Sequence, residues 1–152
     1  MKSNVSATIA QLRSAGLCPA GSTRGCPSRK ILHLERMWGR RLPSSYRVFL
    51  QALGGEAGEF LSGSSFKCSE VESVNAGARE LAAESNLTLP EDAFVFFMHQ
   101  GYQFAFFILD GDDDPLVYAF EEGDAAFRPL GWSFSQWFAQ AARDEIRINR
   151  RL

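Results

Sequence analysis

The stretch AFVFFMHQGYQFAFFIL, Ala93 to Leu109, holds two aromatic and β-branched runs on either side of His99-Gln100-Gly101. Both AFVFFM (Ala93 to Met98) and YQFAFFIL (Tyr102 to Leu109) place apolar residues at successive positions, so both faces of each run are apolar. Runs of this kind bounded by turn residues read as paired central strands covered on both sides, not as half-solvated ones. Downstream, Leu116 to Phe120 and Phe127 to Leu130 follow after short turns and extend the pair into an antiparallel meander of about four or more strands.

Upstream the hydrophobic period changes to that of a helix. Val5, Ile9 and Leu12 mark a weak amphipathic helix over Ser3 to Ala15, stopped at Gly16. The loop CPAGSTRGCP (Cys18 to Pro27) follows. Ser28 is positioned to cap a helix with Ile31, Leu34 and Trp38 on one face and Gly39 as its stop. Pro43 opens the next helix, where Tyr46, Phe49, Leu50 and Leu53 share one face before Gly54-Gly55. Ser69-Glu70-Val71-Glu72 has capping-box spacing ahead of a stripe of Val71, Val74, Ala78, Leu81 and Ala82, interrupted by Gly77. Ser133-Phe134-Ser135-Gln136 repeats that spacing and opens a last helix carrying Phe134, Trp137, Phe138 and Ala141, with the tail RINRRL expected to fray. Helices first, then strands, then a closing helix predict a single α+β domain, with the N-terminal helices and the C-terminal helix packed on the meander.

At 152 residues the chain suits one domain with a single core, and 13 Phe and 3 Trp make that core aromatic. A net charge of −2 supplies no general basic field for nucleic acid or anionic lipid, so neither is an expected partner. Cys18, Cys26 and Cys68 form no C-x-x-C pair, and an odd number fits a reducing compartment. The N-terminus lacks the apolar run of a signal peptide, and no stretch is apolar enough to span a membrane. A cytoplasmic protein is expected.

The window DGDDDPLVYAFE (Asp110 to Glu121) puts carboxylates at positions 1, 3, 5 and 12, nearly the pattern of a calcium loop. Such a loop needs Gly at its sixth position and helices on both sides. Here the sixth residue is Pro115, the flanks are strand-like, and Glu121 falls at the far end of the next strand, so the segment reads as a hairpin turn. His33 has no metal-ligating partner at helical spacing, and His99 sits in the turn MHQGY. Gly54-Gly55-Glu56-Ala57-Gly58 follows a helix, whereas a nucleotide loop follows a strand. Arg36, Arg40, Arg41 and Arg47 around Trp38 read as a solvated helix face. No catalytic residue, cofactor site or metal site is assigned.

The segment ILHLERMWGRRLPSSYRVFLQALGG resembles the signature of the SUKH superfamily, of the type related to the yeast cell-wall synthesis regulator. Glu35, Leu42, Pro43, Tyr46, Phe49, Leu50, Gly54 and Gly55 occupy the matching places, while FFMHQGYQFAFF and SFSQWF resemble its paired strands and terminal helix. The resemblance divides the chain into residues 1–27 (a poorly matched helix and loop), 28–143 (the SUKH-like domain) and 144–152 (a tail). It implies a non-enzymatic protein-binding domain, foremost a bacterial immunity protein that neutralises a cognate polymorphic or contact-dependent toxin domain. The alternatives are an intracellular scaffold or regulator, a small enzyme, or a metal-binding module. For a basic toxin, Asp110, Asp112, Asp113 and Asp114 in one turn and Glu121, Glu122 and Asp124 in another are the expected partner-binding carboxylates.

Overall fold

Two layers of helix close over the two apolar faces of one sheet in the computed structural model, which describes residues 4–150. The elements run α1 (Val5–Ser14), β1 (Thr23–Arg24), α2 (Ser28–Trp38), α3 (Ser44–Leu53), β2 (Glu56–Ala57), β3 (Ser64–Ser65), α4 (Val71–Glu84), β4 (Ala93–His99), β5 (Gln103–Ile108), β6 (Leu116–Glu121), β7 (Arg128–Ser133) and α5 (Phe134–Arg150). A five-stranded antiparallel sheet has the order β3-β4-β5-β6-β7, and β1 pairs with β2 in a separate small ladder. The fold is α+β with the expected meander at its centre.

Side-chain alternation along β4 and β5 divides the core. Phe94, Phe96, Ala105 and Phe107 face a cluster that also holds Tyr46, Phe49, Phe134 and Phe138 from α3 and α5. Val95, Phe104 and Phe106 face a second cluster with Val74, Ala78 and Leu81 of α4. A bulge between Val95 and Phe97 breaks the alternation, so Phe96 and Phe97 both pack on the α5 side. Tyr46 is the hub, fully buried, with Phe94, Phe107 and Phe134 all at 5.3 Å in edge-on contact. Val5, Ile9 and Leu12 of α1 belong to the same cluster, so the N-terminal segment is built into the core.

Several local expectations are corrected. Ser28 is not a cap: α2 begins behind Pro27, without a side-chain cap bond. The Ser69–Glu72 capping box does not form. Glu70 turns back to accept from the N–H groups of Phe66 and Lys67, while Glu72 reaches Lys30 Nζ at 2.6 Å on α2. The second box does form, with Gln136 Oε1 accepting from Ser133 N–H at 2.9 Å and Ser133 Oγ from Gln136 N–H. The tail RINRRL does not fray where it is described: α5 continues to Arg150, and residues 151–152 lie outside the described part. Ser3, expected at the start of the first helix, also lies outside it, and Asn4 caps α1 by accepting from Ala7 N–H.

Candidate functional site

The carboxylates of the Asp-rich turn between β5 and β6 make most of their hydrogen bonds to backbone. Asp110 Oδ1 accepts from Asp112 N–H at 3.0 Å and Asp112 Oδ1 from Asp114 N–H at 2.8 Å, a succession of side-chain-closed turns. Asp114 is buried, 8% exposed, and both its oxygens serve Ser135 in the first turn of α5: Oδ1 accepts from the N–H at 2.9 Å, Oδ2 from the hydroxyl at 2.6 Å. A carboxylate at that position also complements the positive end of the helix dipole. The carbonyl of Asp113 accepts from Ser45 N–H at the start of α3. The turn therefore ties two helix N-termini to the sheet. Glu121 lies at the other end of β6, as the strand reading requires. Among the described residues no three His, Cys, Asp or Glu side chains are grouped to hold a metal ion.

The second acidic turn joins β6 to β7. Asp124 Oδ2 accepts from Glu121 N–H and from Arg128 Nε, each at 2.9 Å, and these bonds hold its carboxyl below the usual carboxylate range. Glu121 and Glu122 are exposed. The two turns are not brought together. They sit at opposite ends of β6, a six-residue strand and hence roughly 20 Å long. Of the seven candidate carboxylates, Asp110, Asp112 and Asp113 are exposed at one end, Glu121 and Glu122 at the other, Asp124 is half-buried, and Asp114 is inside.

Charge is unevenly distributed along the sequence. Between Glu80 and Phe127 there are eleven carboxylates and no Lys or Arg, whereas Met1 to Arg79 holds eleven of the sixteen basic residues. The near-neutral total hides a segregated charge distribution.

The histidines and cysteines have local partners. His33 Nε2 and Lys30 Nζ share Glu72, which is thereby held below its ordinary carboxylate range. His99 ends β4, and its Nδ1 shares a 2.9 Å hydrogen bond with Ser64 Oγ across the β3–β4 ladder. A nucleophilic triad would also need a carboxylate to orient the imidazole. Among the described residues no acidic group bonds to His99. Cys18, Cys26 and Cys68 are buried free thiols. Burial, reinforced by the neighbouring Cys68, pushes the Cys26 thiol up to about 12.

The signature residues have structural explanations. Glu35 Oε2 accepts from Leu42 N–H at 2.7 Å and so fixes the turn from α2 to α3, which places Tyr46, Phe49 and Leu50 in the core. A Cβ on Gly55 would come within 2.8 Å of Gly25 O and 2.9 Å of Arg24 O, so only glycine lets the β1 segment lie against the end of α3. Trp38 Nε1 donates to Ala93 O at 3.1 Å and ties α2 to the start of β4. Arg36, Arg40 and Arg41 are exposed around it, while Arg47 is half-buried. The same span, residues 25–140, matches the model of the SMI1 / KNR4 family (SUKH-1). The chain belongs to this family. Curated proteins provide no match. Membership in SUKH-1 supports a protein-interaction domain of the immunity type. No helix among the described residues is long and apolar enough to cross a membrane.

Proposed function

We propose that this SUKH-1 domain is an immunity protein that binds and neutralises a cognate bacterial toxin domain, one to one, without chemistry of its own. The observation that carries the reading is the family match over residues 25–140, whose signature residues serve the fold and leave the rest of the surface for recognition. The segregated carboxylates support a basic partner, because an acidic surface steers a cationic one and raises its association rate. Of the two acidic turns, the steering residues are Asp110, Asp112 and Asp113 at one end and Glu121 and Glu122 at the other. Asp114 serves the fold. Three buried free thiols suit a cytoplasmic site of action.

Co-expression with the toxin-like C-terminal domain encoded by a neighbouring gene tests this. Wild type is expected to protect cells, and His33→Ala and His99→Ala to protect equally well. Reversing the charges of Asp110, Asp112 and Asp113 should slow association and weaken its salt dependence. Loss of protection in a histidine variant that stays folded and still binds the toxin would replace contact with catalysis.

A further inference from the structure

We propose that the groove between the outer face of α5 and the β4–β5 end of the sheet is the docking site for a basic segment of the protein partner. A lysine or arginine of that segment would lie over Trp132, with its charge among carboxylates. The inference rests on the binding function proposed above and names the face that performs it.

The groove has a volume of about 270 Å³. Phe97 and Trp137 form its floor, with ring centroids 5.3 Å apart, while Trp132 on the edge strand β7 and Ile148 on α5 form its walls. Trp132 is 40% exposed and Ile148 57% exposed, and large apolar side chains left in water side by side are the ordinary mark of a contact surface. The β4 bulge contributes directly. By turning Phe97 to the same face as Phe96, it supplies a floor residue that regular alternation would have sent to the α4 side.

The charge around the groove selects the occupant. Glu145 lines it, and Glu121 is the cross-strand partner of Gln103, another lining residue, so the two side chains project from the same face of the sheet. Among the described residues neither Glu121 nor Glu145 has a cation in salt-bridge range. Of the nearby cations, Arg147 is paired with Asp144 and Arg128 with Asp124, while Arg143 donates to the lining Gln140. Burial raises the Glu145 carboxyl above its usual range, opposed by a backbone hydrogen bond from Leu61 and reinforced by Asp144, and a cation placed beside it would favour its charged form. Apolar aromatic walls with unpaired carboxylates at the rim match the long apolar stem and charged head of Lys or Arg, and an indole face adds cation–π attraction.

Two measurements test the groove. In the first, the indole N–H signals of Trp38, Trp132 and Trp137 are followed by NMR during titration with an arginine-rich decapeptide. The signals of Trp132 and Trp137 should move and that of Trp38 should not, and Glu145→Gln with Glu121→Gln should weaken the response about tenfold. In the second, binding of the neighbouring toxin domain is measured. Trp132→Ala should weaken it about 30-fold or more, the loss typical of an interface anchor, while Leu32→Ala, an exposed apolar residue on α2 away from the groove lining, stays close to wild type. Glu145→Gln, a change without loss of volume, should weaken it too, which guards against a folding defect in the tryptophan variant. If the peptide leaves both indoles unmoved, or if Trp132→Ala and Glu145→Gln bind the toxin domain as wild type does, the groove is not the docking site. If wild type fails to bind the toxin domain but the peptide still moves Trp132 and Trp137, the groove stands and the immunity reading falls.

Discussion

Asp114 and Cys26 are where single side chains matter most. Asp114 satisfies both the N–H and the hydroxyl of Ser135, so its removal leaves the buried N–H unpaired and the hydroxyl with only the 3.3 Å contact to Ser133 Oγ, while the Ser133–Gln136 capping box remains. Asp114→Ala is expected to cost about 1–3 kcal/mol in a denaturant melt, whereas Asp113→Ala, whose bond to Ser45 uses only the backbone carbonyl, should be close to neutral. Cys26 makes stability sensitive to alkaline pH. Its folded pKa of about 12 lies above the ordinary 9.0, so the fold prefers the protonated thiol. That contribution is fully present below pH 9 and is lost as pH rises from 9 towards 12. Burial raises Tyr46 and Cys18 in the same direction. Urea midpoints should therefore fall steadily above pH 9, and Cys26→Ala should flatten that slope without abolishing it. A midpoint independent of alkaline pH would contradict the buried placement of these groups.

At the scale of elements, α3 and α4 give opposite expectations. Phe49 is buried with Phe138 at 5.1 Å and Phe134 at 5.7 Å, so Phe49→Ala should destabilise by about 3–5 kcal/mol. Gly77 in mid-α4 has room, since an added Cβ would meet only Met98 Cε at 3.9 Å, an ordinary contact. Gly77→Ala should thus raise stability by about 0.5–1 kcal/mol in the same melts. Elements whose period repeats were legible in the sequence: the α3 face, the two-sided strands β4 and β5, and the capping box of α5. What was not legible depends on distant partners or on too few residues. Two-residue strands such as β3 show no period. Glu72 left its expected cap for Lys30, 42 positions away. The end of α5 holds its helix through surface bonds, including Arg147 to Asp144 at 2.9 Å, in a segment whose composition alone reads as a tail. Asn75 is the clearest omission. Buried in α4, it donates to Val95 O at 3.0 Å and accepts from Val95 N–H at 2.9 Å, acting as a neighbouring strand where β3 is too short to reach. Asn75→Ala should cost about 2 kcal/mol for that reason.

Across the whole molecule, the acidic middle of the chain folds into the end of α4, the sheet and its turns, while most of the basic residues lie in the N-terminal half. Of the proposed partner site, the acidic turns are the part with a pattern in the sequence. Their separation to opposite ends of β6, the withdrawal of Asp114 and the tryptophan groove all follow from strand register, which no local pattern specifies. Function by contact and function by chemistry differ in stoichiometry, and that is the most direct way to separate them. Residual activity of the neighbouring toxin domain should be titrated against increasing amounts of this protein. Binding gives a straight decline that ends at one equivalent, with weaker inhibition at high salt. Complete inactivation by amounts far below one equivalent would mean turnover, and activity unchanged beyond one equivalent would mean that the toxin is not the partner; either result contradicts neutralisation by binding.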